Sequence, residues 1–227
     1  MMEFGHFAGL GDSILSDDFP GPGLGAASLL LTNDDVRFPD FRGRDLRTRR
    51  KGLTSSLVAR TGWRTKDLLS RLEGLSPVRV LSLVVVTVGG NDLLHWVMEQ
   101  TPPEQGLAQL EQDLLALKAR LDRLYPRRVT RWGNIYDPTD GTGRFQSGRE
   151  VSGAPLLLEQ ANALLKRLFE RDVVDLHGHF LGHGMRHGDE SFAHFDTRDP
   201  SGWFKMDIEP NPRGASEIRR CFWQAIP

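Results

Sequence analysis

Val80-Leu81-Ser82-Leu83-Val84-Val85-Val86-Thr87-Val88-Gly89-Gly90-Asn91-Asp92 is the stretch from which the fold can be read. The strand it predicts runs from Val78 to Val88 and is apolar at almost every position, not at every second one. Such a strand is covered on both faces, as in a parallel sheet flanked by helices. Its inner part, Leu83 to Val88, is the longest apolar run of the chain and far too short to span a bilayer. The run ends at Gly89-Gly90-Asn91-Asp92. It therefore delivers polar side chains to the carboxyl edge of the sheet, where open α/β folds place their ligands.

Outward from this strand the alternation continues in both directions. Upstream, Phe7 to Gly11 predicts a first strand running into Asp12-Ser13-Ile14, and Ala26 to Leu31 suits a short helix. Ser56 to Ala59 predicts a second strand, followed by Gly62-Trp63 and a helix from Thr65 to Leu72 with Thr65 as its N-cap. Downstream, Glu104 to Leu124 carries Leu107, Leu110, Leu114, Leu117, Leu121 and Leu124 at three- and four-residue spacing. That stripe reads as a core-facing helix, since it lasts too short a distance for a coiled coil. Arg128 to Tyr136 predicts a strand, Ala154 to Glu170 a helix, and Val173 to Leu176 a last strand. Pro212 suits the start of a final helix through Ala225. The pattern predicts a three-layer α/β/α sandwich of about five parallel strands, a single domain over residues 1–227.

Composition excludes several function classes. The 227 residues carry 29 basic and 30 acidic side chains, so no global field favours nucleic acid or a membrane surface. The local cluster Arg42, Arg44, Arg47, Arg49, Arg50 and Lys51 reads as a solvated face. Cys221, the single cysteine, cannot form an intrachain disulfide. The first strand begins so early that no room is left for a secretory leader, and a cytoplasmic location is expected. The glycines between Gly21 and Gly25 lack the ending of a phosphate loop and the spacing of a dinucleotide fingerprint, so no nucleotide cofactor is expected. The acidic loop Asp137 to Gly143 lacks the ligand spacing of a calcium-binding loop and reads as a turn.

Three strand ends carry the chemistry: Ser13 after the first, Gly62 after the second and Asn91 after the third. In a parallel sheet these ends share one edge. Acyl transfer from a serine needs donors aimed at the developing oxyanion. The backbone N–H groups of Ser13 and Gly62 and the side-chain amide of Asn91 would supply three. A glycine at position 62 would let a backbone donor approach the substrate unobstructed.

Gly11-Asp12-Ser13-Ile14, Gly62 and Gly89-Gly90-Asn91-Asp92 resemble the first three sequence blocks of the SGNH (GDSL-type) hydrolases. That resemblance implies a flavodoxin-like sandwich, Ser13 as nucleophile, an oxyanion hole from Ser13, Gly62 and Asn91, and ester hydrolysis with neither metal nor other cofactor. It points to a small-molecule or glycan ester, with O-acetyl and short acyl groups as candidates. The family's last block departs. There an aspartate and a histidine, three residues apart, precede the final helix. Here Lys205-Met206-Asp207-Ile208-Glu209-Pro210-Asn211-Pro212 puts Glu209 at the histidine position and Met206 at the aspartate position, and no histidine follows His194.

The base must then come from elsewhere, be a carboxylate, or be missing. The loop Asp175 to Gly184 holds His177, His179 and His183 close to the sheet edge, and imidazole titrates in the range a base needs. The expected triad is Ser13, a loop histidine (His183 first, His177 second) and Glu209 as the carboxylate orienting the imidazole. A rival reading makes His177, His179, His183 and His187 metal ligands, with Asp175 and Asp189 nearby. The intervening glycines at 178, 182, 184 and 188 interrupt the helix that this spacing would need. A third reading is a binding domain of the same fold without a base.

Overall fold

In the computed structural model, which describes residues 3–151 and 153–227, the apolar run forms β3 (Ser82–Thr87), with all six residues buried. It pairs in parallel with β1 (His6–Gly11) on one side and β4 (Arg128–Gly133) on the other. β2 (Thr54–Ala59) and β5 (Val173–Val174) form the edges. The order is β2-β1-β3-β4-β5, and the five-stranded parallel sheet matches the expectation.

Alternate side chains of each strand enter opposite layers, as the two-residue period requires. Ala8, Leu10, Val84, Val86 and Trp132 pack against α3 (Thr65–Glu73), α4 (Gly90–Glu99), α5 (Pro103–Leu124) and α6 (Ala154–Phe169). Phe7, Leu83 and Val85 pack against α1 (Ala26–Leu31), α2 (Leu46–Arg49), α7 (Leu176–Phe180) and α8 (Pro212–Gln224). The leucine stripe of α5 is core: Leu110, Leu114, Leu117, Leu121 and Leu124 are buried and Leu107 partly so.

Several elements differ from the sequence expectation, each for a local reason. The third strand begins at Ser82 because the preceding residues are still climbing onto the sheet. Val80 is half exposed, and the Val78 N–H bonds the Leu124 carbonyl instead of a neighbouring strand. Residues 90–99, which the sequence left unassigned, form α4 once Gly89 turns the chain at φ 108. Arg64, not Thr65, caps α3. Thr65 is the first helical residue, fully buried, and its N–H and hydroxyl both donate to Asp92 Oδ2. The last sheet strand is only two residues long, because Asp175 caps α7 through the Gly178 N–H. A small antiparallel hairpin, β6 (Phe204–Lys205) with β7 (Glu209–Pro210), precedes α8.

This topology places the site. The chain leaves β1 toward the α1 layer and leaves β3 toward the α4 layer, so a crevice opens between their carboxyl ends. Ser13 and Asn91 stand on its two sides. Gly11 permits the close approach of the two strand ends: a Cβ there would strike the Thr87 carbonyl oxygen.

Candidate active site

A cleft opens over the carboxyl ends of β1, β3 and β4, with Asp12, Ser13, Asn91 and Tyr136 in its polar part. Asp137 and Thr139 of the loop after β4 also line it, and the remaining wall is apolar, from α4, α6, Ile135, Ile208, Phe145 and Val151. Ser13 is buried at its floor. The turn that presents it is built by Asp12, whose Oδ1 accepts the Ile14 N–H at 3.2 Å and the Thr87 hydroxyl at 3.0 Å. Burial pushes the Asp12 pKa up to about 7. The two hydrogen bonds oppose the shift, and the nearby charge of Glu209 adds to it.

Asn91 sits in the first turn of α4 and donates one amide hydrogen to the Trp63 carbonyl at 3.0 Å. Its second hydrogen is left for a ligand. The same bond ties the turn carrying Gly62 to α4, so Gly62 reaches the site region through Trp63 without lining the cleft itself. Gly62 adopts φ 79, the left-handed region that favours glycine. No atom lies within 4 Å of where its Cβ would be, so conformation, and not crowding by the protein, explains the glycine. Thr61 beside it bonds Asp18 through both its N–H and its hydroxyl, joining the loops after β1 and β2.

Glu209 is buried on β7. Its Oε2 is enclosed and has no hydrogen-bond partner among the described residues. Burial raises its pKa above the usual carboxylate range, the Ser13 hydroxyl beside it holds the value down in part, and the charge of Asp18 raises it again. The hairpin is firmly held. The Tyr136 hydroxyl donates to the Ile208 carbonyl at 2.8 Å, and the Asn211 N–H to the Trp203 carbonyl at 2.9 Å. The Asn211 side chain also caps α8 through the Gly214 N–H.

The histidines lie outside the lining of the cleft. The His183 ring lies flat on Trp203, centroids 3.4 Å apart, and its Nδ1 shares a hydrogen with the Ser201 carbonyl at 3.1 Å. It is buried, and that burial lowers its pKa. His177 lies on α7, its N–H bound to Asn134 Oδ1. Neither lines the cleft, and neither bonds Ser13 or Glu209. Of the candidate bases, Glu209 is the one whose titration feels the Ser13 hydroxyl, and among the described residues no histidine hydrogen-bonds to it. His179 engages Glu217 at 3.0 Å and His187 the Gly184 carbonyl at 2.8 Å. Among the described residues, no three histidine, cysteine or carboxylate side chains gather as a metal would require.

Two features of the site escaped the sequence reading. Tyr136 was read as the end of a strand, yet it anchors the hairpin of Glu209. Asp207 accepts both the N–H and the hydroxyl of Ser147, at 2.7 and 2.6 Å, fastening the loop after β4 to the same hairpin. Neither contact has a local sequence signal, as their partners lie 60 or more residues apart.

The model of the GDSL-like Lipase/Acylhydrolase family matches residues 10–215. Solved structures similar to the chain include the acetyl xylan esterase AlAXEase, with a TM-score of 0.62 and 16% identity, covering 98% of this chain and 100% of that one. Phospholipase A1 from Streptomyces albidoflavus NA297 gives a TM-score of 0.62 and 16% identity over 98% and 100% of the two chains. Axe2, an acetylxylan esterase from Geobacillus stearothermophilus, gives 0.63 and 15% over 99% and 96%. At such identities the likeness is one of fold. No curated protein matches the chain. No helix among the described residues is long and apolar enough to cross a membrane.

Proposed function

The chain belongs to the GDSL-like Lipase/Acylhydrolase family and is an ester-hydrolysing enzyme; we propose that it acts on carboxylic esters through an acyl-enzyme on Ser13, with Glu209 as the general base. The observation that carries this reading is a buried carboxylate, Glu209, whose Oε2 has no hydrogen-bond partner among the described residues and whose pKa the Ser13 hydroxyl holds down in part.

Ser13 Oγ attacks the ester carbonyl carbon while Glu209 takes the hydroxyl proton. The Ser13 N–H and the second amide hydrogen of Asn91 face the oxyanion that develops, and the turn of Gly62 positions the Asn91 amide through the Trp63 carbonyl. Collapse of the tetrahedral intermediate expels the alcohol, which receives the proton from Glu209. Water then attacks the acyl-enzyme, again giving its proton to Glu209, and the intermediate collapses to the carboxylic acid as Glu209 returns that proton to the departing Ser13 Oγ.

A carboxylate with an ordinary pKa is a poor acceptor for a serine proton, and its buried setting is what suits Glu209 to the task. Glu209 must be ionised to act. Activity is therefore lost as pH falls through its raised pKa, at a higher pH than an exposed glutamate would give. The roles of Glu209 and the histidines are separable by mutation, and neither a metal nor another cofactor is needed for these steps. Reaction with a fluorophosphonate followed by peptide mapping tests the nucleophile. Modification at Ser13, together with loss of p-nitrophenyl ester turnover in Ser13→Ala, is the expected result; turnover retained in that variant overturns the serine mechanism.

A further inference from the structure

The apolar half of the cleft is more than the wall of a serine site. Leu94 and Val97 of α4 face Leu157 and Leu158 of α6 across it, and Ile135 lies on the same wall. The charged residues lining the cleft are Asp12 and Asp137. The whole cleft measures about 90 Å³, against ~150 Å³ for an engineered apolar cavity that accepts benzene. It exceeds what an acetyl methyl needs and is too small for a long lipid chain.

One side of this cavity is closed by an unusual piece of chain. Residues 144–150 form a small hairpin, with Arg144 bridged to Glu150, the Phe145 N–H bonded to the Arg149 carbonyl at 2.8 Å, and Gly148 turning at φ 83. Every side chain of this flap is exposed except Phe145, which is buried in the cleft. A two-stranded hairpin on its own is marginal in water, and the exposed Arg144–Glu150 pair adds little. Besides its own turn, it is held among the described residues by Phe145 in the cleft, by the Thr142 hydroxyl, which accepts the Arg144 N–H, and by Ser147 clipped to Asp207, two residues before Glu209.

Building on the ester-hydrolase reading above, we propose that the acyl group taken by this site is a straight chain of about three to five carbons and not acetyl. It lies between α4 and α6, and Phe145 is the residue that sets its length, held in place by the Ser147–Asp207 clip. The chain replaces water against aliphatic side chains, so each added methylene strengthens binding until the wall is reached.

The test is the chain-length profile of p-nitrophenyl esters from acetate to dodecanoate. The expected kcat/KM rises about fourfold per methylene from acetate to an optimum within that range and falls beyond it. Phe145→Ala moves the optimum to longer chains, Phe145→Leu moves it less, and Ser147→Ala moves it in the same direction by releasing the clip. Acetate as the best substrate, or an optimum that neither Phe145 variant shifts, overturns the proposal. Calorimetric titration of Ser13→Ala with butanoate and with acetate separates this proposal from the mechanism. Butanoate bound and acetate not bound supports the acyl cavity whatever residue performs the chemistry. Failure of butanoate to bind, with turnover in the parent enzyme intact, overturns the cavity alone.

Discussion

Replacing Asp12 by asparagine should change how the stability of this protein depends on pH. Asp12 is almost fully buried, and burial lifts its pKa from the ordinary 3.8 to about 7. The folded state thus holds the proton more tightly than the unfolded chain does. The stabilisation from the protonated carboxyl is fully present below 3.8 and is lost as pH rises through about 7. At about 1.4 kcal/mol per pH unit, that gap is worth about 4 kcal/mol. Asparagine has the same shape, and its Oδ1 can still accept from the Ile14 N–H and the Thr87 hydroxyl, but it cannot ionise. The stability of Asp12→Asn relative to the parent should therefore improve by about 4 kcal/mol between about pH 4 and about pH 8. Glu209 contributes to the raised pKa, so the improvement should shrink in a Glu209→Gln background. Urea unfolding followed by circular dichroism across this pH range reads the difference directly. A stability difference that stays flat with pH would refute the reasoning.

Other outcomes follow from the same geometry. Asn91→Ala should lower kcat by roughly 10²–10³ with a smaller effect on KM, because its amide faces charge that exists only in the transition state; an unchanged kcat removes Asn91 from the site. His177→Ala and His183→Phe should both retain ester turnover, the second because an aromatic ring keeps the stack on Trp203; loss of turnover in a folded variant would return a histidine to the mechanism. Turnover should also survive prolonged dialysis against a chelator, and its loss with recovery on adding zinc would favour a metal. Arg219 is fully buried, 3.5 Å over the Phe41 ring and bonded to Asn33 at 2.6 Å. Arg219→Ala should cost about 3 kcal/mol in urea unfolding by detaching α8 from the segment before β2, and a loss below about 1 kcal/mol would show that this anchor is dispensable.

What the sequence made legible, and what it did not, follows the range of the interactions. β3 could be read because burial on both faces leaves a continuous run of valines. α5 could be read because one face of a long helix repeats leucine at helical spacing. The order of Ser13, Gly62 and Asn91 along the chain was enough to place them on one sheet edge. α4 was hidden because it opens with Gly90-Asn91-Asp92, residues that look like a loop until the tertiary contacts of Leu93 and Trp96 are known. The β6–β7 hairpin was hidden because two-residue strands have no period to detect. Position along the chain brought His183 and His177 near the edge, but it could not reveal that the His183 ring is turned onto Trp203. Glu209 was found by its place before Pro210 and Asn211. Its role depends on which group stands within reach of Ser13, and that is a property of the folded chain alone.

The central claim is that Glu209 accepts the Ser13 proton, and the kinetics of Glu209→Gln test it most directly. The substitution keeps the shape of the side chain and removes its capacity to take a proton. With p-nitrophenyl butanoate, kcat should fall by roughly 10²–10⁴ with the fold intact by circular dichroism, close to the loss in Ser13→Ala, and the acid limb of the pH profile should vanish from whatever activity remains. Turnover within a few-fold of the parent enzyme, with the acid limb unchanged, would contradict the account.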